Sequence, residues 1–368
     1  MKKLAVFAVV TPGLEAIAKQ DLQTLGIPRP KAKEGGFSFR VSFAKLCELN
    51  LCSRVCSGFL VRLAHGHVSH FNELSRLVRN VDWTVFFRGV KTVQVKVTSK
   101  KSKLYHTGAI EQRVVQGIEK SIGHSLQVVT GRNLAPDTQC VVVRVMQNEF
   151  TCSISSSGAH LHRRGYRKVT AKAPIRENIA AGLLLALGYD GSQPLWDPMT
   201  GSGTFGIEGA LIASNRPPGM FRRFAFMSWS QFNEMEWQIL RQRKQKEQIQ
   251  CPCVIVSSDR NQGAIDAARV NAKEANVEGD IDFHQGSFSA AAEAFTTTGL
   301  CVLNPPYGDR IGGANLKHLY ASFQASRSKT AKTGIVTSNQ SLMRSFCPGF
   351  TTLLPPIFHG GKRVYFYA

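Results

Sequence analysis

The chain has 368 residues, 43% of them hydrophobic and 19% charged, with 32 glycines and 15 prolines, a composition that excludes disorder, collagen and coiled coil and allows more than one buried core. Its 46 Lys and Arg against 25 Asp and Glu leave a net charge of +21, which repels cationic partners and draws polyanions, nucleic acid first among them. Nine scattered cysteines without a CxxC pair exclude a disulfide framework and a structural zinc site, and no apolar window reaches the length of a membrane span, so a cytoplasmic protein working without membrane or metal is expected.

Leu4 to Val10 reads as a strand. Thr11-Pro12-Gly13 turns it into a helix whose Leu14, Ile17, Ala18, Leu22 and Leu25 share one face, ended by Gly26 and Pro28. Alternating Phe37, Phe39 and Val41 give another strand, so residues 1–45 form a small α+β unit. Residues 46–157 form a second one, with strands at Phe59 to Leu63, Thr92 to Val97, Val141 to Val145 and Phe150 to Ile154, and helices near Asn72 to Val81 and Ile110 to Ile122. Residues 158–173, including Leu161 to Lys172, read as a basic linker without acidic residues. From 174 to 368 helices alternate with the strands ending at Trp196, Ser258, His284, Leu303 and Thr337, which predicts a parallel, doubly wound α/β sheet. A hairpin of Phe350 to Leu354 with Lys362 to Tyr367 closes it, and residues 216–250 are a polar, basic insertion too long for a simple loop.

Asp197-Pro198-Met199-Thr200-Gly201-Ser202-Gly203-Thr204 ends one predicted strand and opens a helix. Glycines there let a ligand approach the backbone and a helix N-terminus that stabilises an anion. A nicotinamide dinucleotide needs an acid about 20 residues further on, and Arg216 to Asn233 holds none; a P-loop needs Gly-Lys-Ser/Thr, which is absent. A ligand with an amino acid at one end and a nucleoside at the other fits better, and S-adenosylmethionine is such a molecule. Asp197 would accept from its ammonium and the Gly201 to Gly203 backbone would face its carboxylate. Asp259, at the end of the next strand, would take the ribose diol, although by itself it also reads as a helix N-cap.

Asn304-Pro305-Pro306-Tyr307-Gly308 follows the apolar strand Leu300 to Leu303, which places it on the same carboxyl rim as the glycine loop. The prolines stiffen the turn, leaving an amide oxygen, a carbonyl and a ring. These suit a flat base with an exocyclic amine: Tyr307 stacks, worth about 1 to 3 kcal/mol, while Asn304 and the Pro305 carbonyl accept the amine hydrogens. Holding those hydrogens out of plane localises the nitrogen lone pair toward a methyl donor, so positioning and electrostatics carry the reaction.

Together, Asp197 to Thr204 and Asn304 to Gly308 resemble the class I S-adenosylmethionine-dependent methyltransferases that act on exocyclic amines of nucleic-acid bases. Leu161 to Arg167, followed by Ala173-Pro174-Ile175, is similar to the THUMP-containing RNA guanine-N2 methyltransferases, closest to the N-terminal half of the bacterial large-subunit ribosomal RNA enzymes. The resemblance implies a Rossmann-like methyltransferase domain (174–368) behind a ferredoxin-like domain (1–45) and a THUMP domain (46–157), acting on structured RNA: ribosomal RNA first, transfer RNA as the alternative. By position it implies cofactor contacts from Asp197, Pro198, Thr200, Gly201, Gly203, Thr204, Asp259 and Asn304, and catalysis by Asn304, Pro305, Pro306 and Tyr307. Where the family presents an acid to the adenine amine this chain has Ser287, which implies weaker adenine binding. Lys96, Lys100, Lys101, Arg163, Arg164 and Arg167 are the expected RNA contacts. The competing readings are a non-catalytic RNA-binding or ribosome-assembly factor and a methyltransferase of adenine N6 in DNA.

Overall fold

The computed structural model of the protein describes residues 3–131, 135, 137–170, 174–288, 299–305, 317, 319–321 and 332–368. The N-terminal part runs β1 (Leu4–Val9), α1 (Glu15–Thr24), β2 (Lys31–Lys33), β3 (Gly36–Val41), α2 (Phe43–Cys52) and β4 (Gly58–His67). It continues through α3 (Phe71–Arg79), β5 (Thr92–Lys100), α4 (Thr107–Ile122), β6 (Gln127–Val128), β7 (Gln139–Met146) and β8 (Glu149–Ser155). The strands of both predicted units share one eight-stranded sheet, ordered β2-β3-β1-β4-β8-β7-β5-β6. They join because β1 takes β4 as its second neighbour and β4 then pairs with β8.

Register explains which face of this sheet is core. Val6, Val61, Ile154, Val141 and Val95 lie opposite one another across β1, β4, β8, β7 and β5, and all are buried. The next row on the other face reads Arg62, Ser153, Val142 and Lys96. Alternation, interrupted on β4 by a bulge between Arg62 and Ala64, therefore puts the apolar side chains of the first row toward the helices and Arg62 and Lys96 on the other face, around the buried Ser153.

The C-terminal part holds α5 (Glu177–Ala186), β9 (Leu195–Asp197), α6 (Thr204–Ala213), α7 (Glu234–Lys246), β10 (Ile255–Asp259) and α8 (Gln262–Glu274). Then come β11 (Asp282–Gln285), β12 (Leu300–Leu303), β13 (Lys332–Thr337), α9 (Gln340–Phe346), β14 (Ile357–His359) and β15 (Lys362–Tyr367). The sheet order is β11-β10-β9-β12-β13-β15-β14. β11 through β13 are parallel, whereas β15 runs antiparallel to β13 and β14 to β15. The closing hairpin is Ile357–His359 with β15, and the stretch Phe350 to Leu354 also lies antiparallel to the end of β15, through the bridge Thr352 to Tyr367 and the backbone hydrogen bonds of Thr351 with Ala368 (3.0 Å) and of Leu353 with Phe366 (2.8 Å).

The insertion is not a solvated loop. Phe224, Phe226, Trp229 and Trp237 are buried, with Phe226 and Trp229 against Phe43 and Trp229 edge-on to Phe86. The Trp229 indole donates to Gln139 Oε1 (2.9 Å), and the Phe226 amide donates to the Ser156 carbonyl (3.1 Å). The segment thus braces the methyltransferase part against the N-terminal sheet. No helix among the described residues is long and apolar enough to cross a membrane.

Candidate functional site

The chain leaves β9 toward β10 and β11 on one side, then returns to β12 on the other. That reversal is the topological switch point of an open α/β sheet, where a crevice forms beyond the carboxyl ends of the strands. β9 ends at Asp197 and β12 at Leu303, and the two pair directly, Leu300 with Leu195 and Cys301 with Trp196. The glycine loop and Asn304-Pro305 therefore emerge side by side, with strands about 5 Å apart.

The loop is shaped by close approach. Gly203 caps α6 at φ +84°, and a Cβ there would lie 3.0 Å from the Ala268 Cβ. At Gly206 a Cβ would lie 2.2 Å from Ser257 Oγ, so α6 sits tight on β10 and its N-terminus reaches the crevice. Thr200 donates its amide to the Ser258 carbonyl (3.0 Å), and Gly203 to the Thr200 carbonyl (2.8 Å). Asp259 accepts from the amides of Gly201 (3.1 Å) and Asn261 (3.0 Å), while the cap of α8 is Asn261, not Asp259. Asp259 is thereby held half-buried at the rim, beside the loop.

Asp197 is 1% exposed, and among the described residues neither of its carboxyl oxygens nor Thr200 Oγ1 has a partner of full hydrogen-bond geometry. Burial pushes its carboxyl up to about 7, opposed by the nearby Thr200 hydroxyl and the Gly206 and Met199 amides and reinforced by the charge of Asp259. An orphaned buried acid at the base of a glycine loop fits a ligand that brings a cation, which the ammonium of S-adenosylmethionine supplies. Pro198 and Thr204 are also buried in the loop, and Ser287 is exposed just past β11. Phe288 beside it stacks on Trp196 of β9, centroids 5.3 Å apart and planes 10° off parallel. Asn304 is half-buried and Pro305 buried at the end of β12. Pro306 and Tyr307 lie outside the described residues.

Two expected RNA contacts need correcting. Arg164 is 2% exposed: it pairs with Glu208 of α6 and donates to the carbonyls of Leu161 (3.0 Å) and Ser53 (3.4 Å). Arg167 donates to Glu177 Oε1 (2.8 Å), Ser202 Oγ (3.0 Å) and Thr204 Oγ1 (3.0 Å). Burial raises Glu177 above the ordinary carboxylate range, with Arg167 opposing that rise. Neither guanidinium is available to a phosphate, because each is spent on an internal carboxylate, Arg164 adding backbone carbonyls and Arg167 the glycine loop itself. Asn271 adds to this brace, accepting from the amides of Lys168 (2.8 Å) and Val169 (3.0 Å) and donating to the Ser202 carbonyl (3.0 Å). Sequence reasoning missed this network; acid-free basic residues next to Tyr166, itself buried on Glu208, were the available signal. Lys96, Lys100, Lys101 and Arg163 are exposed.

Comparison with known proteins gives three family matches: the RMKL-like methyltransferase domain over residues 164–350, the RlmL ferredoxin-like domain over 5–57 and the THUMP domain over 68–154. A Synechocystis sp. protein named "Putative RNA methyltransferase slr0064" is 33% identical over 310 residues, 83% of this chain and 80% of that one. The "Ribosomal RNA large subunit methyltransferase K/L" of Syntrophotalea carbinolica is 32% identical over 329 residues, 86% of this chain but 46% of its own length. Among solved structures, a Listeria monocytogenes protein described as "a predicted N6-adenine-specific DNA methylase" superposes with a TM-score of 0.86 at 27% identity, covering 100% of this chain and 97% of that one. "SMU.472, a putative methyltransferase complexed with SAH" gives 0.83 at 25% identity, covering 100% and 98%.

Proposed function

The chain belongs to the RMKL-like methyltransferases, and from that premise we propose that it methylates the exocyclic N2 amine of a guanine in structured RNA, ribosomal RNA of the large subunit first. It is a class I, S-adenosylmethionine-dependent methyltransferase with ferredoxin-like and THUMP domains ahead of the catalytic one. The observation that carries the reading is the juxtaposition of the glycine loop after β9 with Asn304-Pro305 after β12, at a switch point of the sheet.

When bound, the cofactor supplies a methyl group on a sulfonium, an electrophile with a neutral leaving group. Asp197 would hold the ammonium and the α6 N-terminus the carboxylate, beside Gly201 and Gly203, whose own amides go to Asp259 and to the Thr200 carbonyl; Asp259 would take the ribose hydroxyls, and Pro198, Thr200 and Thr204 would shape this cradle. Asn304 and the Pro305 carbonyl accept the hydrogens of the base amine and turn its lone pair toward the methyl carbon, with Tyr307 as the stacking ring after Pro306. The amine proton then leaves to solvent. Ser287 stands near the adenine side, beside the Trp196 and Phe288 stack, so base binding there rests on stacking more than on a carboxylate. Lys96, Lys100, Lys101 and Arg163 lie exposed to meet phosphates.

Nucleoside analysis by mass spectrometry of ribosomal and transfer RNA from cells lacking the protein tests the reading. Missing N2-methylguanosine in the large-subunit RNA is the expected result, and its loss from transfer RNA alone would move the substrate there. The name of the Listeria neighbour favours a second reading, N6-methylation of adenine in duplex DNA. Methyl transfer to duplex DNA with none to RNA would establish it.

A further inference from the structure

The connector ahead of α5 brings a guanidinium to the glycine loop that the cofactor cradle above leaves unused. Arg167 is mostly buried, and its partner Glu177, in the first turn of α5, more so. All three guanidinium nitrogens are engaged: Nε donates to Glu177 Oε1 (2.8 Å), Nη1 to Ser202 Oγ (3.0 Å), and Nη2 to both Thr204 Oγ1 (3.0 Å) and the Ile175 carbonyl (3.0 Å). Ser202 and Thr204 flank Gly203, and both are buried. The loop backbone is held as well, because the Asn271 amide of α8 donates to the Ser202 carbonyl (3.0 Å) and to the connector at the Val169 carbonyl (2.8 Å).

A guanidinium has donors and no acceptor, so each of the two hydroxyls accepts from Arg167 and must aim its own hydrogen elsewhere. Among the described residues neither hydroxyl donates a hydrogen bond. Two buried hydroxyls with their acceptor side occupied are thus committed donors at the start of α6, where the helix dipole already favours an anion. At the other end of the same loop, the Asp197 oxygens have no partner of full hydrogen-bond geometry among the described residues. The loop therefore offers an acceptor for an ammonium and a pair of donors for a carboxylate. Glu177 neutralises the Arg167 charge, so what Arg167 contributes to the loop is orientation rather than net positive charge.

We propose that Arg167, held by Glu177, is a positioning residue for the amino-acid end of the methyl donor: by occupying the lone pairs of Ser202 and Thr204 it commits both hydroxyls to the donor's carboxylate. This rests on the cofactor reading above and adds to it which group outside the glycine loop sets the loop's donors. Arg167 acts through the two hydroxyls and does not touch the ligand. Cofactor affinity then depends on a connector residue that precedes the first helix of the catalytic domain.

Titration calorimetry of the full chain with two ligands tests this. S-adenosylhomocysteine carries the amino-acid end; 5′-methylthioadenosine keeps the nucleoside and the thioether without it. Thr204→Val removes one hydroxyl at nearly constant size and should weaken S-adenosylhomocysteine by about tenfold, the effect of one hydrogen bond to a charged group. Thr204→Ser should restore that affinity. The neutral pair Arg167→Gln/Glu177→Gln leaves no buried charge unpaired and should weaken S-adenosylhomocysteine by about ten- to a hundredfold. Affinity for 5′-methylthioadenosine should stay at the wild-type value in every variant, which a merely distorted loop would not allow. An equal loss for both ligands, or unchanged S-adenosylhomocysteine affinity in either variant, overturns the proposal while leaving the cofactor reading intact. Wild-type protein that binds neither ligand would sink the cofactor reading itself.

Discussion

The two sheets of this protein use opposite parts of themselves. The N-terminal sheet packs one face as core, while its other face carries the exposed Arg144, Lys96 and Lys100 beside the buried Phe7, Leu60 and Ser153, so its exposed charge is spread across strands. The methyltransferase sheet is mostly parallel and packed on both faces; Leu195, Ile255, Leu300, Val302 and Leu303 are all buried, so function is pushed to the strand ends. The difference teaches that a two-sided core can offer chemistry only where its strands stop, while a one-sided sheet offers area. Area suits a long polyanion, and a crevice at a switch point suits one cofactor and one base.

The sharpest way to break that division is at the connector. Arg164→Met leaves Glu208 buried and uncompensated, and should cost about 3 to 5 kcal/mol in urea unfolding. A variant as stable as wild type would return Arg164 to the surface and to RNA. The next effect is on chemistry alone: Asn304→Ala should lower turnover by about 10² to 10³. Single-turnover methylation measures it, and RNA affinity and its salt slope should stay at wild-type values.

Third is the pH response of the crevice. Asp197 has its folded pKa raised from 3.8 to about 7, so its protonated form favours the folded state. Stability from this group is full below about pH 4 and declines as pH rises to about 7, by roughly 2 to 4 kcal/mol. Thermal unfolding of the cofactor-free protein across that window, compared with Asp197→Asn, should show the decline flattened in the variant. A bound ammonium favours the ionised acid, so affinity for S-adenosylmethionine should climb as pH rises through 7 in the wild type only, by titration calorimetry. The smallest effect belongs to the surface: Lys96→Gln/Lys100→Gln should reduce the RNA salt slope by about 1.4 to 1.8 and leave unfolding unchanged.

Much of the site was legible. Asp197 to Thr204 announced a strand, a tight turn and a helix, because glycine at a helix start after an apolar run has few other uses, and Asn304-Pro305 announced a stiff turn after β12. The basic connector misled because charge composition carries no statement about exposure. Arg164 finds Glu208 44 residues away, and Arg167 finds Ser202 35 away. The insertion misled in the same way: its Arg222, within a stretch that reads as polar and basic, donates to the carbonyls of Ser157 (2.9 Å), Ala159 (2.6 Å), His160 (2.7 Å) and Arg163 (3.0 Å). Burial lowers that guanidinium to about 10.

The amino-acid order by itself settled what is local: the periodicities that make strands and helices, the turn chemistry of the two loops, and the excess of positive charge. Those depend on neighbours a few residues apart, and short-range sterics and hydrogen bonding fix them. Which cations face solvent, which are locked on carboxylates, and that one sheet gathers the strands of two units were decided only in three dimensions. Burial and ion pairing are properties of what the rest of the chain places around a side chain, and that information is spread over the whole sequence rather than held at any one position.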